Sequence, residues 1–286
     1  MDYMKFAASV FLGLAMAGGM TTSASAQCDC GKSMIDEVKE RGVLRVGVKN
    51  DAPYLGFVDE KGELAGFEID LVKDLARRLG VKVEFEPVKA SNRVQLLQQN
   101  RIDMIFATVS HYRGRDKVTD FTLPYLYTPQ TLLVKKDSGI KSVADLEGKI
   151  VGLDAGAGAV KKIPIVQPKA KVQTFQNWPE AFFALERGTV DAVATDNILL
   201  AGLRAATPDP SAYVLLGKSG FYSGGYYAAV VRENDSKSRD AINFLLQDQW
   251  KDGTWQKAFD KWLGKDSKLQ MTLADFGDFN IPLWDD

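Results

Sequence analysis

A strand–helix–strand pattern that closes on an almost wholly apolar strand occurs twice in this chain, and it narrows the possible folds more than any other feature. In the first occurrence Val43-Leu44-Arg45-Val46-Gly47-Val48 is rich in β-branched residues and predicts a strand. Leu71, Val72, Leu75, Ala76 and Leu79 share one face of a helix predicted over 67–79, with Gly80 to stop it. A strand over 81–85 ends before Pro87, and a short helix covers 94–99. Residues 102–109 are nearly all apolar, as a strand covered on both faces requires. The second occurrence predicts a strand over 149–153, a helix opening at 156–162 and a strand over 172–175. A helix over 179–187 follows, with proline in its first turn and Gly188 behind it, and then an apolar strand over 190–194. Strands alternating with helices imply parallel sheets, so the chain reads as two α/β units. Residues 127–136 leave the first unit and 220–231 return. Amphipathic helices over 240–250 and 255–263 are expected to pack back on the first.

The first residues read as a targeting segment. Lys5 gives a weak positive start, residues 6–16 are a short apolar run, and Ala24-Ser25-Ala26 is a small-x-small cleavage site. The run is shorter than the roughly 20 apolar residues a membrane span needs, so a cleaved signal over 1–26 and a mature start near Gln27 are expected. A lipid anchor would use Cys28, but Gln27 is a poor residue before a lipidated cysteine. Cys28 and Cys30 are the only cysteines; one residue apart, they would close a strained ring, and no role in the fold is expected of them. The single histidine, His111, is far from them, which argues against a metal site or a Cys/His pair. Lys+Arg 36 against Asp+Glu 37 gives no basic excess, which argues against a nucleic-acid partner. No cofactor is expected.

Four stretches, in this order and spacing, resemble the extracellular solute-binding proteins of polar amino-acid ABC importers. They are Gly42 to Val48 with Asp51-Ala52-Pro53-Tyr54; Gly62-Glu63-Leu64-Ala65-Gly66-Phe67-Glu68-Ile69-Asp70-Leu71; Ile102-Asp103-Met104-Ile105 leading through Arg115 to Asp120-Phe121-Thr122-Leu123-Pro124-Tyr125; and Leu185-Glu186-Arg187-Gly188-Thr189-Val190-Asp191-Ala192-Val193. The resemblance spans about 34–264. It implies a type II periplasmic-binding-protein fold, two parallel-rich α/β lobes joined by two crossing strands, with the ligand in the cleft between them. Lobe 1 would comprise 27–127 and 223–286, and lobe 2 would comprise 128–222. A periplasmic monomer that hands its amino acid to membrane permease subunits follows from the same resemblance.

The resemblance also assigns roles. Arg115 would hold the ligand's α-carboxylate, as a planar guanidinium fork suits both oxygens. Thr108 and Ser110, at the end of the preceding strand, would complete that cradle with hydroxyl and backbone donors. Asp196, at the end of the strand over 190–194, would take the α-ammonium; capping the next helix is the alternative use of such an aspartate. Asn92-Arg93 before a short helix resembles the branch that binds glutamate or aspartate, with Arg93 reading the side-chain carboxylate. Lys49, ending the first strand, would add positive charge, so an acidic ligand is expected.

Two departures from the family pattern bear on the ligand. Asp51 and Ala90 stand where many members place an aromatic clamp, leaving Tyr54 as the substitute. Gly156-Ala157-Gly158 lacks the hydroxyl that relatives place there, leaving backbone N–H groups at a helix start. The same glycines lack the third glycine of a dinucleotide loop, where Lys161 stands, and lack the Walker spacing. The rival reading is an exported enzyme on this fold, such as a cyclohexadienyl dehydratase. It needs a general acid or base in the cleft; Glu186 and Glu180 fall in the second lobe, but Glu186 sits in a helix body with no identifiable partner. A soluble ligand-binding partner of a sensor is a third reading.

Overall fold

The computed structural model describes residues 32–277 and 279–284. The expected signal segment, its cleavage site and Cys28 and Cys30 lie outside the described residues.

The chain opens with α1 (Met34–Arg41), which packs Met34, Ile35 and Val38 inward. β1 (Val43–Val48) follows, then the short β2 (Asp51–Ala52), β3 (Gly56–Val58) and β4 (Leu64–Ala65), which pair as a small antiparallel sheet. α2 (Phe67–Leu79) occupies the span the periodicity predicts and stops at Gly80 in the left-handed region. Its acidic residues Glu68 and Asp70 sit in the first turn and Arg77 and Arg78 in the last, the arrangement a helix dipole favours. β5 (Lys82–Pro87), α3 (Arg93–Gln98) and β6 (Met104–Phe106) complete the first α/β unit.

The long β7 (Asp120–Lys135) then leads to β8 (Ile150–Asp154), α4 (Ala159–Val166), β9 (Lys171–Phe175), α5 (Trp178–Glu186), β10 (Ala192–Asp196) and α6 (Asn197–Ala206). β11 (Tyr213–Leu215) and β12 (Ser223–Val231) follow, and α7 (Ser236–Lys251) and α8 (Thr254–Trp262) return to the first unit. The main sheet runs β5-β1-β6-β12-β7-β10-β8-β9, with β11 on β7. β5, β1 and β6 are mutually parallel, and so are β10, β8 and β9. β7 and β12 run antiparallel between these two parallel sets, from Ser223 opposite Gln130 to Val231 opposite Asp120. This is the mixed α/β, two-lobed architecture that the two sequence units imply.

The core of the first unit is aromatic. Phe106 stacks on Tyr125 at 4.2 Å, Trp255 stacks on Phe259 at 5.1 Å, and the Trp255 indole N–H donates to the Tyr125 carbonyl at 2.8 Å. Phe276 and Phe279, from the C-terminal segment that the sequence left without an assignment, bury themselves against Phe259 and Trp250.

Several boundaries move from their expected places, and three of the shifts have a local cause. The strand expected over 102–109 is regular only at Met104–Phe106, because Thr108 takes a φ of 50° and breaks the extended run. β5 runs through Pro87, which an edge strand tolerates since its outer side needs no donor. The helix expected from residue 156 begins at Ala159, because Gly156 and Ala157 are taken up in a turn on Asp154.

Candidate functional site

β10 ends at Asp196, which lies opposite Gln130 on β7, and Gln130 in turn faces Ser223 on β12. The segment after β6 reaches the same place, where Ser110 bridges to Tyr227. The second parallel set brings β8 and the turn before α4 against this point. A cavity of about 20 Å³ lies where these strand ends meet. Open α/β sheets carry their ligand sites at such strand ends.

Arg93, Thr108, Ser110 and Arg115 form one wall of the cavity. Asp196, Thr195, Ala157, Gly158 and Trp178 form the other, and Gln130 lies between them. Seven of the nine residues singled out in the sequence are therefore brought together. Gly156 touches the site through its carbonyl, and Lys49 is not in the lining.

Arg115 donates to the carbonyl of Ser110 at 2.6 Å and to that of Gly156 at 3.3 Å. Both partners are neutral, so among the described residues no carboxylate pairs with its charge. Burial pushes its guanidinium below the ordinary arginine value, while Tyr112 and Asp196 oppose that shift. Asp196 is 5 % exposed. It occupies the N-cap position of α6, but its carboxylate does not cap the helix. It accepts instead from Gln130 Nε2 at 3.3 Å and from Thr195 Oγ1 at 3.2 Å. Burial raises its carboxyl above the usual range. A buried carboxylate with two weak neutral donors is a fitting partner for an ammonium group.

The other end of the cavity is electrostatically different. Arg93 is 3 % exposed, and only its Nη1 bonds within the protein, to the carbonyls of Ala107 and Thr108. Burial and the nearby Arg115 charge push its guanidinium down to about 10, against the pull of Asp154, Tyr227 and Glu68. Lys49 is 1 % exposed, and its Nζ lies 2.8 Å from Asp51 Oδ1 as an ion pair without hydrogen-bond alignment.

Glu68 is wholly buried on α2 and accepts from the Thr108 backbone N–H at 2.8 Å and from the Tyr125 hydroxyl at 2.5 Å. That bond holds Thr108 in its left-handed conformation at the cavity wall. Burial raises the Glu68 carboxyl to about 7, opposed by those two donors and by the charges of Arg93 and Lys49.

The glycines after β8 have a steric role that the sequence did not reveal. A Cβ on Gly156 would overlap the backbone of Ala90 and Ser91, and one on Gly158 would overlap the Tyr112 ring. The N–H of Gly156 is already donated to Asp154 Oδ1 at 2.9 Å. The turn is thus pressed against the loop that leads into α3 at Gly156 and against Tyr112 at Gly158, and the missing side chains permit both approaches.

Several residues at the site escaped the sequence reading. Trp178, 4 % exposed, supplies an aromatic wall that neither Asp51 nor Ala90 offers. Tyr54 does not line the cavity; it packs near Phe57 and Gly202. Tyr112 accepts from Gln130 Nε2 at 2.7 Å, with Arg115 at 5.2 Å and the Lys162 ammonium at 4.2 Å from its ring. Gln130 sits in the polar stretch Thr128-Pro129-Gln130-Thr131 of β7. His111 pairs with Asp116 at 2.7 Å and stacks on Phe121, which accounts for it without a nucleophile.

Residues 44–265 match the sequence profile of bacterial extracellular solute-binding proteins, family 3. The chain belongs to this family. Among relatives, it is 33 % identical to the glutamine-binding protein GlnH of Bacillus subtilis, over 88 % of this chain and 93 % of that one. It is 29 % identical to the glutamate-binding protein GluB of Corynebacterium glutamicum, over 90 % of each. Among solved structures, the ancestral amino acid-binding protein AncCDT-1, a precursor of cyclohexadienyl dehydratase, superposes with a TM-score of 0.74 at 34 % identity, covering 81 % of this chain and 100 % of that one. As a family 3 solute-binding protein the chain has its fold and its cleft accounted for together, since the cavity lies where the two parallel sets meet.

Proposed function

We propose that this protein captures a polar amino acid in the periplasm and delivers it, as a monomer, to the permease subunits of an ABC importer. The observation that carries this reading is the pairing of an uncompensated Arg115 with a buried Asp196 across one small cavity. An α-carboxylate on Arg115 and an α-ammonium on Asp196 would satisfy both, and Thr108 and Ser110 add donors beside the carboxylate. The lobe boundaries at 127/128 and 222/223 fall on β7 and β12, the strands that run between the parallel sets. A cavity of about 20 Å³ holds little more than a water, so an amino acid enters only when the walls part. Closure then follows because a ligand touching both walls binds the closed form better.

For the side chain, the free donors of Arg93 favour an oxygen acceptor, and glutamate or aspartate is the leading proposal. A second reading, glutamine, is favoured by one observation: Asp51, Asp154 and Glu68 stand beside Lys49 and Arg93 and offset their charge. GlnH and GluB, both similar over most of this chain, bind glutamine and glutamate respectively. An enzymatic role would need a proton-transfer group at the cavity, and the carboxylate lining it, Asp196, is the one set against an ammonium.

The test is a thermal-shift panel of all amino acids on the purified mature protein, because a ligand that binds only the folded state raises Tm. Shifts confined to glutamate, aspartate, glutamine or asparagine support the reading. Shifts confined to basic or aromatic amino acids defeat the Arg93 assignment, and formation of an aromatic product from prephenate or arogenate defeats the transport reading.

A further inference from the structure

Asp154 ends β8 and is 1 % exposed. It does not line the cavity. Its Oδ1 accepts from Gly156, while its Oδ2 is buried with no hydrogen-bond partner. Three further side-chain atoms in the same region, Lys49 Nζ, Asp51 Oδ1 and Glu68 Oε2, are also buried and lack hydrogen bonds. The turn that Asp154 shapes is pressed onto Ala90 and Ser91, the residues that lead into the helix carrying Arg93. Asp154 therefore meets Lys49 and Arg93 through charge alone: burial raises its carboxyl, and the Gly156 bond and those two cations oppose the rise. An unpaired carboxylate in such a place is retained at a cost unless the neighbouring cations need it.

We propose that Asp154 is a specificity-determining positioning residue: from behind Arg93 it sets how much positive charge the side-chain end of the pocket presents, and hence whether a side-chain carboxylate or a side-chain amide is preferred. This rests on the reading of Arg93 as the side-chain anchor. Both ligand types offer Arg93 an oxygen, so hydrogen bonding alone does not separate them. Net charge separates them, since only the carboxylate gains from uncompensated cations in a region of low dielectric. Asp154 lowers that gain. Lys49, paired with Asp51, raises it. Lys49 thus acts on the ligand through the field, without touching it.

The experiment is calorimetric titration of glutamate and of glutamine into the wild type, Asp154→Asn, Asp154→Glu and Lys49→Met. Asparagine keeps the acceptor for the Gly156 N–H and removes only the charge. The ratio of the two affinities is the readout, because a loss of structure would weaken both ligands together. Asp154→Asn is expected to move the ratio toward glutamate by about tenfold or more. Lys49→Met should move it the other way, and Asp154→Glu should return it toward the wild-type value. If Asp154→Asn does not fold, the Lys49→Met and Asp154→Glu ratios decide alone. A ratio that stays put in every folded variant, with both ligands binding the wild type, overturns this inference and leaves the amino-acid site standing. Binding of neither ligand by the wild type overturns the site reading and this inference with it.

Discussion

The two ends of the cavity are built on opposite principles. At one end Arg115 leans only on carbonyl oxygens, and Asp196 accepts only from neutral donors, so each keeps an unmatched charge about the cavity. At the other end Arg93 and Lys49 are almost fully buried among Asp51, Asp154 and Glu68, and much of their charge is answered within the protein. The difference teaches which contacts are fixed and which are adjustable. A zwitterionic backbone is common to every amino acid, and unmatched partners for it serve any of them. Side chains differ, and an end whose charge is balanced by several residues can be retuned by changing one of them.

Removing a group from the unmatched end should cost most. Arg115→Ala should weaken binding of the cognate amino acid by about 2–5 kcal/mol, since it leaves the ligand carboxylate buried and unpaired. Calorimetry should read this as loss of the isotherm, with the unliganded protein still folded.

The compensated end should reveal itself through pH. The Glu68 carboxyl titrates near 7 when folded, against 4.5 ordinarily, so the folded state keeps a proton that the unfolded chain has released. Stability is then greatest on the acid side, falls as pH rises from about 4.5 to about 7, and levels off above. The loss amounts to about 3 kcal/mol. Chemical denaturation across this range should show the slope in the wild type and a flatter profile in Glu68→Gln. An identical slope in both would remove Glu68 from the account.

Asp196→Asn should cost about 1.5–3 kcal/mol in ligand affinity, the worth of a hydrogen bond to a charged group, with unliganded stability unchanged or improved because a buried charge is gone. A folded variant that binds at wild-type strength would contradict the pairing. The smallest effect concerns closure. Gly156→Ala places a methyl against the Ala90 backbone and should cost about 1–3 kcal/mol of the closed form. Small-angle scattering with saturating ligand should then show a larger radius of gyration than the wild type.

Much of this was legible in the sequence because it follows from periodicity. α2 falls on its predicted span, and both apolar strands lead to the cavity. Arg115, Asp196, Arg93, Thr108 and Ser110 were singled out through the resemblance of their motifs to the family, and they line one cavity. Glu68 and Asp154 were not. Glu68 sits in the first turn of a helix, where an acid reads as a dipole partner, and its burial comes from packing by Thr108 and Tyr125 distant in sequence. Asp154 ends its strand just as Asp196 does, a parallel that was available, but its charged neighbours come from β1 and α3 and appear only on folding. Trp178 stands just before the helix expected over 179–187 and drew no reading of its own, and only the approach of the two walls makes it a lining residue.

A crystal structure with a bound polar amino acid tests the contrast most directly. The account predicts the α-carboxylate on Arg115, the α-ammonium on Asp196 and the side-chain oxygen on Arg93. A ligand lying the other way round, with its α-carboxylate on Arg93 and its side chain toward Arg115 and Asp196, would contradict it.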